Sequence, residues 1–194
     1  MSLAHPPQAV VIGASAGAVE ALSALLPTLP ADYPLPIMIV VHLPSDKKSV
    51  LAELFRQRCK IVVCEAQDKE PIASGTVYFA PPDYHLQVEK NKHLSLSGEE
   101  PVLYSRPSID LLFETAADAY GEGLIGIILT GANHDGAHGL RAVEDAGGIA
   151  IVQQPDQAAA RAMPESALKN CANARALSLE QIAAFLQKAI QPCH

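Results

Sequence analysis

The chain has 194 residues, of which 49% are hydrophobic, and its formal net charge is −7. That length and hydrophobic content suit a single globular domain with a sizeable core. The negative charge and the lack of a basic stretch argue against nucleic-acid binding, and no apolar run reaches the length that spans a membrane.

Strands alternate with helices in the first third of the chain, which is typical of a parallel α/β sheet. Apolar runs at 9–12, 37–41 and 61–64 predict strands. The first two are expected to be buried, and the run at 9–12 on both faces, because it lacks polar alternation. Amphipathic stretches at 18–29 and 49–59 predict the helices between them. This part of the chain is therefore predicted to run strand, helix, strand, helix, strand.

The middle of the chain has a different pattern, with three short strand candidates between residues 76 and 97. Alternating apolar and polar residues at 85–89 and 93–97 predict an antiparallel hairpin at the edge of the sheet. A helix is predicted from Pro107, a residue well suited to a first helical turn, to about Tyr120.

The last third returns to the alternating pattern. Its predicted elements are a central strand at 124–129, a helix at 136–146, a strand at 149–153, a short helix after Pro164 and a final helix opened by a capping box of Ser178 and Gln181. The whole pattern predicts a doubly wound α/β fold, with a mainly parallel sheet flanked by helices and an antiparallel hairpin at its edge. We expect one domain over about 9–190 of residues 1–194.

Three polar residues each follow a predicted core strand. Ser15 lies in a Gly13-x-Ser15-x-Gly17 turn between the first strand and its helix, His42 ends the second strand, and Asp135 lies in the turn after the central strand. Parallel sheets carry their chemistry at this carboxyl edge. The three residues therefore predict a nucleophile, a general base and an orienting carboxylate.

Each of these residues also has an ordinary explanation. Ser15 could be a helix N-cap or part of a nucleotide-binding glycine turn, although His42 stands where such a turn needs an acidic ribose ligand. His42 could be a loop histidine, and Asp135 could cap the helix that follows it. His134 and His138 suggest a metal, but no third ligand has a clear spacing, so we expect no metal site.

The cysteines and the N-terminus bear on the compartment. None of the four cysteines forms a C-x-x-C pair, which argues against zinc-ribbon and thioredoxin sites. Cys59 and Cys64 flank a predicted strand and are expected to be core thiols. The N-terminus lacks the charged start and apolar centre of a secretory signal, so we expect a reducing, cytoplasmic location.

Several ordered motifs resemble the catalytic domain of the chemotaxis protein-glutamate methylesterases, the CheB-like family. They are VVIGASAG, IVVHLPSD, EAQDKEPIASGTVYFAPPDYHLQV, YSRPSIDLLFETAA, GIILTGANHDGAHGL and AIVQQP followed by MPESAL. The resemblance covers the chain from about Ala9 to Leu186. It implies a doubly wound α/β domain that hydrolyses glutamyl methyl esters on the cytoplasmic helices of chemoreceptors and deamidates certain glutamines there.

The resemblance also implies residue roles. It places the family's nucleophile on Ser15, its histidine on His42 and its aspartate on Asp135, and it implies that no cofactor is needed. We expect the backbone N–H groups near Ala16 and Ala132 to bind the oxyanion.

Substrate contact and the alternative functions remain open. We expect Arg106, in YSRPS, to contact acidic substrate side chains, the alternative being a solvated loop arginine. The main alternative function is a non-catalytic module that binds receptor helices, and another is a serine esterase that acts on a small ester.

The chain departs from the family pattern at three places. Ala16 stands where the family usually has Thr, Gly17-Ala18 stands in place of the glycine pair after the serine motif, and Ala132-Asn133-His134 stands where the family usually has Met-Gly-Asn. Family members commonly carry an N-terminal receiver domain, but here the first predicted strand starts at about Ala9. We therefore expect no receiver domain, whether the chain is a stand-alone esterase or a fragment.

Overall fold

The computed structural model describes residues 5–42, 50–102 and 104–189. Its strands are β1 (Ala9–Ala14), β2 (Ile37–Val41), β3 (Val62–Glu65), β4 (Thr76–Phe79), β5 (His85–Val88), β6 (Leu94–Ser97), β7 (Leu124–Ile128), β8 (Ile149–Gln153) and β9 (Arg175–Leu177). Its helices are α1 (Ala18–Leu25), α2 (Leu51–Arg56), α3 (Ile109–Tyr120), α4 (Ala137–Asp145), α5 (Ala162–Asn170) and α6 (Leu179–Ala189).

Seven of the strands form one parallel sheet in the order β3-β4-β2-β1-β7-β8-β9. Strand β1 lies in the middle of the sheet. Strands β2 to β4 lie on one side of it, and β7 to β9, which come later in the chain, lie on the other. All six residues of β1 are buried, as its unbroken apolar sequence predicts. The predicted doubly wound parallel fold is confirmed. A crevice is expected at the carboxyl ends of β1 and β7, because the connections that follow them lead to helices on opposite faces of the sheet.

The core is divided between the two faces of the sheet. Side chains of α1, α2 and α6 cover one face, and those of α3, α4 and α5 cover the other. Because strand residues alternate in direction, Val10 and Ile12 pack in the first layer while Ala9 and Val11 pack in the second. Each central strand therefore contributes to both layers.

The three strands predicted between residues 76 and 97 belong to two different sheets. The first candidate, β4, is a parallel strand of the main sheet between β2 and β3. The other two, β5 and β6, form the predicted antiparallel hairpin, but as a separate two-stranded sheet. The hairpin packs on α3, where the Val88 N–H donates to Thr115 Oγ1 at 3.1 Å.

Element ends differ from the predictions by a few residues. The helix predicted to reach residue 29 ends at Leu25, and a single 3₁₀ turn over Leu26–Thr28 contains Pro27, which has no N–H to continue the α-helical ladder. The helix predicted from residue 49, which lies outside the described residues, is observed over Leu51–Arg56. Strand β9 was not predicted, because its three residues, two half-exposed and one exposed, carry almost no apolar pattern.

The predicted capping box at the last helix is present. The Ser178 N–H donates to Gln181 Oε1 at 2.9 Å, and the Gln181 N–H donates to Ser178 Oγ at 3.2 Å. Over the described parts of the chain, no helix is both long and apolar enough to cross a bilayer. Cys59, Cys64 and Cys171 are free thiols.

Helices α3 and α4 approach closely at Gly139. A Cβ on Gly139 would lie 2.6 Å from Phe113 Cβ and 2.9 Å from the Asp110 Cα, both on α3. Such distances are shorter than van der Waals contact, so the absence of a side chain permits this packing.

Replacing Gly139 by Ala should therefore lower the free energy of unfolding by roughly 1–3 kcal/mol, through overpacking, although alanine favours the helix itself. Urea denaturation measures the change. Gly98→Ala is the matched control, because its nearest neighbour is the Tyr84 ring at 3.9 Å. Equal stability of the two variants would contradict this account of the packing.

Candidate active site

The sheet brings the three predicted residues to one edge. Ala14 of β1 pairs with Val41 of β2, so Ser15 and His42 follow side by side, and the His42 N–H donates to the Ala14 carbonyl at 3.1 Å. Adjacent strands lie about 4.8 Å apart. On the other side of β1, strand β7 leads into the turn that carries Asp135.

His42 and Asp135 form a hydrogen-bonded pair. The distance from His42 Nε2 to Asp135 Oδ2 is 2.8 Å, and their side chains are 12% and 0% exposed. A buried carboxylate on one ring nitrogen fixes the orientation of the imidazole and keeps a proton on that nitrogen. This is the geometry expected of an orienting carboxylate.

Asp135 is held by the first turn of α3. Its Oδ2 accepts the Ile109 N–H at 2.7 Å, and its Oδ1 accepts the Asp110 N–H at 3.0 Å and the Ser108 hydroxyl at 3.1 Å. Burial raises the pKa of Asp135, but the hydrogen bonds from His42 and these backbone N–H groups outweigh it, so the pKa lies below its usual range. The carboxylate is therefore ionised at neutral pH.

Asp135 does not cap the helix that follows it, which was one alternative. The N-cap of α4 is Gly136, without a side-chain cap. Instead, Asp110 of α3 accepts the Gly136 N–H at 2.9 Å and the Gly139 N–H at 2.6 Å. Burial, with a smaller contribution from the charge of Asp135, raises the pKa of Asp110 to about 6, although the Gly139 N–H opposes the shift.

Ser15 shares a depression with His42. The depression has a volume of about 520 Å³ and is bordered by the first turn of α1 and the end of β2. Ser15 does not cap α1, whose N-cap is Gly17. Among the described residues the Ser15 hydroxyl has no hydrogen bond, so the Ser15–His42 contact expected of a nucleophile and its base is not formed in this structure.

A buried threonine, not singled out in the sequence, fixes the turn around Ser15. Thr130 Oγ1 donates to the Ala16 carbonyl at 2.8 Å and accepts the Ala160 N–H at 2.9 Å. Gly17 has a φ of 81°, and a Cβ there would lie 2.6 Å from Ala159 Cβ. The peptide after Ser15 is thus held from two sides, and only glycine fits at the next position.

The two predicted oxyanion donors are free of protein partners. Over the described ranges, neither the Ala16 N–H nor the Ala132 N–H donates to any acceptor, and both residues are exposed. These donors are therefore available to a bound oxygen atom.

Arg106 and His42 both line a second depression of about 290 Å³, together with Tyr104 and Asn133. Its Nη1 donates to the carbonyls of Gly98 and Glu99, at 3.1 and 3.0 Å. Arg106 is therefore not a simple solvated loop residue, because one amino group already anchors the 98–99 loop. Its Nε is buried and has no partner within the described chain.

Other site features were not predicted. Ser108, Asp110, Thr130 and Asn133 all contact the three predicted residues or their turns. Of these only Ser108 had a local signal, a serine at the start of the helix predicted from Pro107; the helix begins at Ile109, and Ser108 is its N-cap. His134 and His138 are exposed, and no group of potential metal ligands occurs among the described residues.

The fold and this constellation define a hydrolase-like α/β domain with a Ser-His-Asp set at its carboxyl edge. The chain belongs to the CheB methylesterase family, whose model matches residues 10–186. The resemblance seen in the sequence motifs is thereby confirmed.

Individual relatives support the same family assignment. A Leptospira interrogans homologue is 48% identical over 176 residues, 91% of this chain and 91% of that protein. The protein-glutamate methylesterase/protein-glutamine glutaminase of Archaeoglobus fulgidus is 36% identical over 163 residues, 82% of this chain but 47% of that longer protein. The crystal structure of the Thermotoga maritima CheB methylesterase catalytic domain matches with a TM-score of 0.88 and 30% identity, over 95% of this chain and 99% of that one.

The raised pKa of Asp110 predicts a pH dependence of stability. Between pH 4 and 6 the folded chain keeps a proton on Asp110 that the unfolded chain has released, so this residue's contribution to stability falls as the pH rises through that window. Asp110→Asn keeps an oxygen for the Gly136 and Gly139 N–H groups and removes the charge. The free energy of unfolding of Asp110→Asn, relative to that of wild type, should rise by on the order of 2 kcal/mol between pH 4 and pH 7.

Urea denaturation at several pH values measures this difference. Asp118→Asn, on the exposed side of the same helix, is the control for loss of one charge. Parallel stability curves for wild type and Asp110→Asn across the window would show that Asp110 does not titrate there.

Proposed function

We propose that the protein is a protein-glutamate methylesterase that hydrolyses glutamyl methyl esters on the cytoplasmic helices of chemoreceptors. The observation that carries the proposal is the buried, ionised Asp135 bonded to His42, beside a clamped serine turn with free N–H donors. Family membership supports the same chemistry. The proposal places the protein in the cytoplasm, where such receptor helices lie.

The reaction begins with attack of Ser15 Oγ on the ester carbonyl carbon. The hydroxyl proton passes to His42 Nδ1, since Nε2 faces Asp135, and the carbonyl electron pair moves onto oxygen. The N–H groups of Ala16 and Ala132 stabilise that oxyanion, each by ~3 kcal/mol where well aimed. Asp135 stabilises the imidazolium that forms.

The intermediate then collapses. The bond from carbon to the methoxy oxygen breaks, and methanol leaves with the proton from His42. Water attacks the glutamyl ester on Ser15 while His42 accepts its proton, and that proton returns to Ser15 as the free glutamate departs. Deamidation of glutamine follows the same route, with ammonia as the leaving group.

Replacing Ser15 by Ala should reduce methanol release from methylated receptor by at least about 10³-fold, because the acyl intermediate cannot form. Ser23→Ala, on the helix α1 that follows Ser15, removes a hydroxyl that accepts from Arg58 Nη1 and should leave the rate unchanged. Full function of the Ser15 variant would favour the binding module. Turnover of aryl esters without release from receptor would favour a small-ester esterase.

Arg106 is proposed to contact acidic substrate side chains through its remaining amino group, Nη2. Arg106→Gln should raise KM for a methylated receptor peptide with neighbouring glutamates, and leave kcat little changed. A peptide with glutamines at those neighbouring positions is the control substrate. An equal rise in KM for both peptides would assign Arg106 to the 98–99 loop alone.

A further inference from the structure

Both ring nitrogens of His42 are hydrogen-bonded to side chains of the turn that follows β7. Asp135 Oδ2 lies 2.8 Å from Nε2, and the side-chain amide nitrogen of Asn133 lies 3.0 Å from Nδ1. The two partners are only two residues apart in the chain. Asn133 is half-buried, and it lines the depression that contains His42 and Arg106.

The hydrogen-bond network sets the orientation of the Asn133 amide. The Asp135 backbone N–H donates to Asn133 Oδ1 at 3.3 Å, so the amide oxygen is directed at the backbone and Nδ2 is directed at the ring. Because Nδ2 only donates, His42 Nδ1 must be the acceptor, and the ring proton is on Nε2, where it donates to the ionised Asp135. The network therefore specifies a neutral imidazole of a single tautomer.

This arrangement occupies the atom that the proposed reaction uses. A neutral imidazole has one in-plane lone pair, and here it accepts from Asn133. The Ser15 hydroxyl, which must give its proton to that lone pair, makes no hydrogen bond within the described chain. In this structure Asn133 therefore occupies the His42 Nδ1 lone pair, and the Ser15 hydroxyl has no hydrogen-bond partner among the described residues.

We propose that Asn133 is a positioning residue that fixes His42 in its Nε2–H tautomer and covers Nδ1, so that the amide must leave before Ser15 can be deprotonated. The inference rests on the proposed function, in which His42 Nδ1 is the base. Once Nδ1 holds the serine proton, its N–H and the Asn133 Nδ2–H would face each other as two donors. The amide must therefore move away or present its oxygen as the reaction proceeds.

The test compares two substitutions with opposite expectations. Asn133→Ala uncovers Nδ1 and leaves the hydrogen bond between His42 Nε2 and Asp135 Oδ2 intact. It should raise kcat/KM for methanol release about fivefold, which is the effect of losing one neutral hydrogen bond from the resting state. Asn133→Asp keeps an oxygen for the Asp135 N–H but turns a carboxylate toward Nδ1. That carboxylate favours a proton on Nδ1, so kcat/KM should fall.

A matched control uses the same local motif at a distance from the site. Asn91 Oδ1 accepts the His93 N–H at 3.2 Å, two residues on, in the hairpin turn between β5 and β6. Asn91→Ala removes this bond without touching His42, and should leave kcat/KM unchanged.

Two readouts do not depend on the receptor substrate. The first is the rate at which a fluorophosphonate labels Ser15, where the Oγ–P bond forms, fluoride leaves and His42 accepts the proton. The second is the ¹⁵N resonance of His42 Nδ1, which should move toward that of an acceptor without a donor in Asn133→Ala, while the Nε2–H signal persists.

The outcomes separate the two proposals. Faster labelling and a shifted Nδ1 resonance in Asn133→Ala support the role of Asn133, even if methanol release is absent in wild type, a result that would refute the methylesterase proposal alone. Slower labelling by Asn133→Ala, or an unchanged Nδ1 resonance in a folded variant, would overturn the inference.

Discussion

The site depends on two aspartates that each bind the N-terminus of the other's helix. Asp135, just before α4, accepts the first N–H groups of α3, and Asp110, on α3, accepts the first N–H groups of α4. Helix N-termini have unpaired N–H groups and a positive dipole end that favour carboxylates. The carboxylate that orients His42 is therefore part of the packing of α3 on α4, and it cannot move without leaving helix donors unpaired.

The two aspartates are neighbours, yet their pKa values move apart. Asp135 has four donors, including the imidazole of His42, and these overcome the cost of burial. Asp110 accepts two backbone N–H groups and lies beside another negative charge, so burial dominates and raises its pKa to about 6. As the pH falls, Asp110 takes a proton first, which removes its repulsion and leaves Asp135 ionised beside His42.

The ends of the core strands could be predicted from the sequence. The position of Ser15, His42 and Asp135 at one edge of the sheet follows from them. In a parallel sheet the carboxyl ends of adjacent strands meet, so Ser15, His42 and Asp135 needed only correctly assigned apolar runs. The placement of the short strands in the middle of the chain was harder to predict, since all are only four residues long and tertiary packing decides that β4 joins the main sheet while β5 and β6 do not. Contacts such as Thr130 with Ala16, 114 residues apart, depend on packing that no local pattern encodes.

The rigid parts of the site determine what must move in the proposed reaction. Thr130 holds the backbone beside Ser15, and α3 holds Asp135, so neither backbone is free to bring the serine to the ring. The adjustments that remain are rotation of the Ser15 hydroxyl among staggered wells and displacement of the Asn133 amide. Side-chain rotations take picoseconds to nanoseconds, far faster than typical turnover. The cover on His42 therefore acts through the fraction of molecules in which Nδ1 is open, and not through the speed of opening.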